Sequence, residues 1–226
     1  MSEQPHYLGH RQRLRERFLK AGGDDFADYE LLELLLFMAL PRGDVKPLAK
    51  SLLKRFGSFA EVISAEPAAL TEVGGVGDSA IAALKTVKAA ALRLIREEIL
   101  ERPVLGTWQK LIDYCRASMA FAEAEHFRVL YLNRKNVLIA DEVQQKGTVD
   151  HTPVYPREVM KRALEVGASA LIMVHNHPSG DPAPSRADID MTREVREAGE
   201  KLGITLHDHI IVGRQGNNSF RALGLL

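Results

Sequence analysis

Apolar residues recur at helical spacing through residues 11 to about 100, and beyond that the chain alternates short β-rich runs with amphipathic ones. Glu30 to Leu40 (ELLELLLFMAL) predicts a short, strongly apolar helix stopped by Pro41 and Gly43. Pro47 to Phe56 puts Leu48, Leu52, Leu53 and Phe56 on one helical face, with Gly57 as its cap. Phe59 to Ile63 and Pro67 to Val73 predict two more short helices. Ser79 to Leu100 is Ala-rich with a helical period, and Glu101-Arg102-Pro103 ends it.

From there the period changes. Thr107 to Met119 predicts a helix, Phe127 to Leu132 a strand, and Val137 to Val143 a second strand reached through a hairpin at Asn133 to Asn136. Pro156 to Val166 predicts a helix with proline in its first turn. Ala170 to Val174 is a short buried strand. Ser185 to Leu202 is an amphipathic helix with Ser and Asp three apart at its start, capped by Gly203. Ile204 to Val212 is a last strand. The order α β β α β α β describes an α/β segment of ordinary single-domain length. The fold class expected is therefore α/β, with an all-helical domain at 1–103 and a second domain at 104–226.

Composition narrows the function classes. The chain is 46% hydrophobic and 27% charged, enough apolar content for a packed core. Lys plus Arg and Asp plus Glu both number 30, so no global charge draws it to nucleic acid or an anionic membrane. One cysteine, Cys115, excludes an internal disulfide and a multi-cysteine metal site, and its helical position suits a small core residue. The longest apolar run, Leu34 to Leu40, is far short of the roughly 20 residues of a spanning helix. With no apolar leader at the start, a cytoplasmic protein making no membrane contact is the expectation.

Chemistry concentrates between Ala170–Val174 and the following helix, in the stretch His175-Asn176-His177-Pro178-Ser179-Gly180-Asp181-Pro182-Ala183-Pro184-Ser185-Arg186-Ala187-Asp188. Residues two apart in extended chain point the same way, so His175 and His177 can aim at one point. The Gly/Pro-rich loop turns back, and Asp188 in the first helical turn adds an oxygen. Two nitrogens and one oxygen suit Zn²⁺, one ion per chain, with the fourth tetrahedral position left to solvent, as in catalytic sites. The blander readings are a chance HxH pair and an Asp that merely completes a capping motif. Ser185 is placed to donate to a developing oxyanion. His207 and His209, alternating on a strand, read either as partners holding a ligand imidazole or as a buried hydrogen-bonded pair, and the second reading is preferred. His151 lies in a loop and receives no role.

The same stretch resembles the JAMM (MPN+) metalloprotease pattern of a distant Glu, H-x-H, seven residues, Ser, two residues, Asp. The second position of the HxH is usually Ser or Thr in that family and is Asn176 here. This departure, within HNHPSGDPAPS, makes the chain similar to the RadC family of bacterial proteins, named for DNA repair. Gly147-Thr148-Val149, Pro156-Arg157-Glu158, Asp208-His209-Ile210-Ile211-Val212-Gly213 and Glu30-Leu31-Leu32-Glu33-Leu34-Leu35-Leu36 carry the same resemblance. It implies a cytidine-deaminase-like MPN domain with a mixed sheet flanked by helices. It also implies a zinc metallopeptidase acting on a peptide or isopeptide bond of a protein or peptide substrate, with Glu125, before an apolar strand, as the general base. Glu123 and Glu142 compete for that role.

In the helical half, Gly75 and Gly77 within Leu70-Thr71-Glu72-Val73-Gly74-Gly75-Val76-Gly77-Asp78 resemble a helix-hairpin-helix turn, whose backbone N–H groups can hold a DNA phosphate. An ordinary tight turn explains the glycines equally. Asp78 suits phosphate poorly, and residues 1–103 carry 15 basic and 15 acidic side chains. Arg11, Arg13, Arg15, Arg17 and Lys20 form the most credible phosphate contact, against the plainer reading of a solvated helix face. Two other classes stand beside the hydrolase: a DNA-binding repair accessory protein, and a metal-holding scaffold without activity. A nucleobase deaminase is disfavoured, because its His-x-Glu and Cys-x-x-Cys pattern needs more than one cysteine.

Overall fold

The computed structural model describes residues 9–100, 102–146 and 154–226. Gly147-Thr148-Val149 and His151 lie outside the described residues. The chain forms two compact units, one ending at Ala90 and the other starting at Ala91, inside one helix. The boundary read from sequence at residue 103 assigns that helix and its tail to the first domain. In the structure Ile95, Ile99 and Leu100 pack in the core of the second unit.

The first unit is all-helical: α1 (His10–Ala21), α2 (Asp28–Ala39), α3 (Lys46–Phe56), α4 (Phe59–Ser64), α5 (Pro67–Thr71) and most of α6 (Asp78–Glu97). Leu32, Leu36, Leu52, Leu70 and Leu84 are fully buried at its centre. Gly57 and Gly75 take positive φ of 105° and 91°, the left-handed region that glycine enters without Cβ strain. Glu33, in the apolar run of α2, is also buried, and its Oε2 lies 2.5 Å from His10 Nε2.

The second unit is a five-stranded mixed sheet with helices on both faces. A 3₁₀ turn (Val104–Thr107) leads into α7 (Trp108–Met119). Then come β1 (His126–Leu132), β2 (Leu138–Lys146), α8 (Pro156–Glu165), β3 (Ala170–Asn176), α9 (Arg186–Lys201), β4 (Thr205–Gly213) and β5 (Gly216–Ser219). The spatial order is β2-β1-β3-β4-β5. β3 and β4 are parallel, joined through α9, and every other pairing is antiparallel. The hairpin at 133–136 closes with Asn136 at φ 58° and Asn133 Oδ1 accepting from the Lys135 and Val137 N–H groups. β5 was absent from the sequence expectation. Its residues, Gly-Asn-Asn-Ser, are poor strand formers, and only pairing with Ile210 to Gly213 makes them a strand.

The two sheet faces hold separate cores. Leu130, Leu132, Ile172, Val174, Ile210 and Val212 pack beneath α7. Phe127, Val129, Tyr131, Leu171, Met173 and Leu206 pack beneath α8 and α9, with Val159, Met160 and Val195. One irregularity matters for the site. Leu171 pairs with Leu206 but Ile172 pairs with Asp208, so His207 is an extra residue, a β-bulge. Simple alternation would turn His209 away from the face that holds Leu206. The bulge restores it to that face.

Candidate metal centre

His175 ends β3 on the α8/α9 face, one step beyond Met173 in the alternation, and is 1% exposed. His177 follows two residues later, outside the strand. Its N–H donates to Val212 O (3.0 Å), which keeps the extended direction for one more step. Ser185 is the N-cap of α9: the Asp188 N–H donates to its Oγ (3.2 Å), and its own N–H donates to Asp188 Oδ2 (2.7 Å). This reciprocal cap turns the Asp188 carboxylate back toward the loop. It leaves Oδ1 3.3 Å from His175 Nε2, and Oδ2 3.5 Å from His177 Nε2. The two Nε2 atoms are 3.0 Å apart. His175, His177 and Asp188 thus offer one ligand atom each to a common point.

Hydrogen bonding decides what these atoms can do. His177 Nδ1 lies 2.9 Å from the Asp181 carbonyl oxygen, an acceptor only, so Nδ1 carries the proton and Nε2 is bare. His175 Nδ1 lies 2.8 Å from His209 Nε2, which leaves His175 Nε2 as the atom turned to the cluster. Two imidazole lone pairs and a carboxylate facing one another form a set of acceptors. Ligand atoms about 2.0–2.1 Å from a tetrahedral zinc stand roughly 3.3 Å apart; the two Nε2 atoms are 3.0 Å apart, and each has one Asp188 oxygen near that spacing, Oδ1 at 3.3 Å from His175 and Oδ2 at 3.5 Å from His177. The residues fit a divalent cation.

The electrostatics agree. Burial opposes the Asp188 charge, but His175, His177 and Ser185 outweigh it and hold the carboxyl far below the usual carboxylate range. The hydrogen bond to Asp188 raises the His177 pKa above its ordinary value against the cost of burial, with the Asp181 carbonyl and the charges of Asp188 and Glu125 adding to the effect. Burial holds His209 well below the ordinary histidine value, so it is neutral.

Glu125 directly precedes β1. Phe127 pairs with His175, so the register carries Glu125 alongside His177, where its charge is felt. Its neighbours are pinned: Asn176 Oδ1 accepts from the His126 N–H (2.8 Å) and Asn176 Nδ2 donates to Ala124 O (3.1 Å). The competitors are placed otherwise. Glu142 receives Arg162 through three contacts of 2.6 to 3.0 Å, and Glu123 is exposed.

The histidines of β4 are not paired with each other. His207 Nε2 meets Asn136 Oδ1 at 2.7 Å, whereas His209 is fully buried against His175 and Thr192. The expectation of a mutual pair fails because the bulge puts successive odd residues on different faces. In the helical unit, Arg11 donates to Leu40 O and Gly43 O, and Arg17 pairs with Glu30 at 2.6 Å, so both guanidinium groups have internal partners. Gly75 lies in the turn before α6, and Gly77 immediately precedes it. Cys115 is wholly buried, and burial pushes its thiol up to about 12. No helix among the described residues is long and apolar enough to cross a membrane.

With this geometry in hand, comparisons with known proteins converge. The model of a RadC-like JAB domain matches residues 105–225, and that of the UPF0758 N-terminal region matches residues 6–82. A UPF0758 protein of Rhodobacter capsulatus is 63% identical over 213 residues, covering 94% of this chain and 100% of its own length. A UPF0758 protein of Ruegeria pomeroyi is 58% identical over 223 residues, covering 98% and 100%.

Proposed function

The chain belongs to the RadC-like JAB domain family, and from that premise we propose that its C-terminal half is a zinc-dependent hydrolase of peptide or isopeptide bonds. The observation that carries the reading is the convergence of His175, His177 and Asp188, whose ligand atoms lie within 4.8 Å of one another, the two imidazoles having their other nitrogens engaged elsewhere. His175, His177 and Asp188 would hold the zinc. When bound, it supplies Lewis-acid polarisation of a carbonyl and lowers the pKa of water toward ~7. Glu125, beside His177, takes a proton from the attacking water and returns it to the leaving amine. The Ser185 hydroxyl keeps its proton free while Oγ accepts from the Asp188 N–H, and donates to the developing oxyanion. The substrate is a protein or peptide.

The test is metal content joined to activity. Purified wild type dialysed against zinc should hold about one ion per chain, and His175→Ala and Asp188→Ala much less. Glu125→Gln should keep its zinc and lose cleavage of a peptide and isopeptide library. A wild type that retains no zinc sinks the reading. Equal cleavage by wild type and Glu125→Gln removes the base from it, and an inert but zinc-loaded wild type favours the scaffold. Contact with DNA through the helical unit is the second reading, favoured by the left-handed Gly75 before the 20-residue α6. It predicts a salt-dependent affinity that falls when Arg13, Arg15 and Lys20 are replaced.

A further inference from the structure

His209 and Thr192 belong to no part of the reading above, yet they form one line of buried hydrogen bonds ending on His175. Thr192 Oγ1 lies 2.5 Å from the Asp188 carbonyl oxygen and 2.6 Å from His209 Nδ1. His209 Nε2 lies 2.8 Å from His175 Nδ1. His209 and His175 are 0% and 1% exposed and Thr192 is 2% exposed, so solvent does not complete these bonds.

The direction of each bond is forced in turn. A carbonyl oxygen only accepts, so the single hydroxyl proton of Thr192 goes to Asp188 O. Toward His209 the hydroxyl then accepts, so His209 carries its proton on Nδ1. His209 Nε2 is then bare and accepts from His175 Nδ1–H. The remaining nitrogen of His175, Nε2, faces His177 and Asp188 without a proton. We propose that Thr192 and His209 are positioning residues that set which nitrogen of His175 is bare, and so prepare it to hold the metal. Three further features support the assignment. The bulge at His207 serves to turn His209 onto this face. Phe220 stacks on the His209 ring at 4.6 Å between centroids and 29°, which fixes its plane. The His209 N–H also donates to Asp208 Oδ1 (2.8 Å), which anchors the backbone there. His177 needs no such relay, because a backbone carbonyl fixes its proton directly.

The consequence for metal affinity rests on the zinc reading, but the proton assignment does not. Thr192→Val keeps the shape and removes the acceptor for His209 Nδ1–H. A buried donor without a partner is costly, so the His209 proton moves to Nε2, and the His175 proton is displaced from Nδ1 to Nε2, the nitrogen the metal needs. The experiment uses the full-length metal-free chain at about pH 8, above the ordinary histidine range. Two-bond proton–nitrogen NMR correlations read the protonated nitrogen of each imidazole, and cobalt(II) titration reads affinity. Wild type and Thr192→Ser should show Nδ1–H at His175, His177 and His209. Thr192→Val should move the proton to Nε2 at His175 and His209 but not at His177, and weaken cobalt binding by roughly 10–100-fold. A wild-type His175 protonated at Nε2 overturns the proposal with no variant needed. So does a Thr192→Val chain with unmoved protons and wild-type cobalt affinity. Wild type with the expected protons but no cobalt uptake would leave the relay standing and sink the metal reading instead.

Discussion

Asn176 sends both ends of its amide into the backbone on either side of Glu125, and it stands where the resembling metalloprotease pattern has Ser or Thr. A Ser or Thr hydroxyl can donate and accept, but only from one oxygen on a shorter stem, whereas the amide spreads the two roles over Oδ1 and Nδ2 and so reaches both the His126 N–H and Ala124 O. Asn176→Ala should therefore cost about 1–3 kcal/mol in urea unfolding, leave any zinc content unchanged, and loosen the segment that carries Glu125. Wild-type stability in that variant would show the clamp to be idle. The pair Asp188 and His177 gives a pH signature to the metal-free chain. Asp188 is depressed when folded, so its contribution is present above the ordinary carboxylate value of 3.8 and fades as pH falls below it. His177 is raised when folded, so its contribution is full below 6.5 and is lost as pH rises through the folded value. The urea midpoint of metal-free wild type relative to Asp188→Asn isolates this pair from His207 and His209, whose lowered values act in the opposite sense, and the wild-type advantage should shrink on going from about pH 6 to about pH 8. Zinc uptake should run the other way across this range, strengthening as the His177 proton leaves.

At the scale of elements, the loop between β3 and α9 is held against the end of β4 by glycine. A Cβ on Gly213 would stand 2.8 Å from the Gly180 carbonyl carbon, and the Gln215 N–H donates to Gly180 O at 3.2 Å. Gly213→Ala should push residues 178–184 away, cost about 1–3 kcal/mol, and weaken the proposed zinc binding without altering His175, His177 or Asp188, which calorimetric titration would detect. The long elements were legible because burial on one side leaves a period: α2, α3, α6, α9 and β1 begin and end within a few residues of where apolar spacing puts them. The convergence of His175, His177 and Asp188 was readable as well, since strand alternation and a helix cap are both local rules. His209 was not. One extra residue at His207 breaks the two-residue period, and nothing in Thr-Leu-His-Asp-His marks a bulge. β5 was illegible for a related reason, because its pairing partner and not its own composition makes it a strand.

For the molecule as a whole, Cys115 offers an internal reporter. It sits under the sheet on α7, fully buried, with its thiol pushed up to about 12. Thiol reagents should reach it only when the second unit opens. Zinc at one hundred times its Kd should slow labelling about 100-fold if opening releases the ion. An unchanged labelling rate in a chain shown to hold zinc would mean that Cys115 becomes accessible while His175, His177 and Asp188 stay together. The second unit and the helical unit have separate cores, so the protection conferred by zinc is expected in β1, β3, β4 and α9 rather than in α2 and α3, as hydrogen exchange would show.

The strict alternation of β3 sends adjacent side chains, His175 and Asn176, to opposite sides of the sheet, each locked among neighbours of its own. Parity is therefore the constraint on how this half can evolve. Adding or deleting one residue inside the strand would swap the imidazole for the amide and dismantle the His175–His177–Asp188 cluster and the Asn176 clamp in one step. Length changes are tolerable only where they leave that odd–even frame untouched.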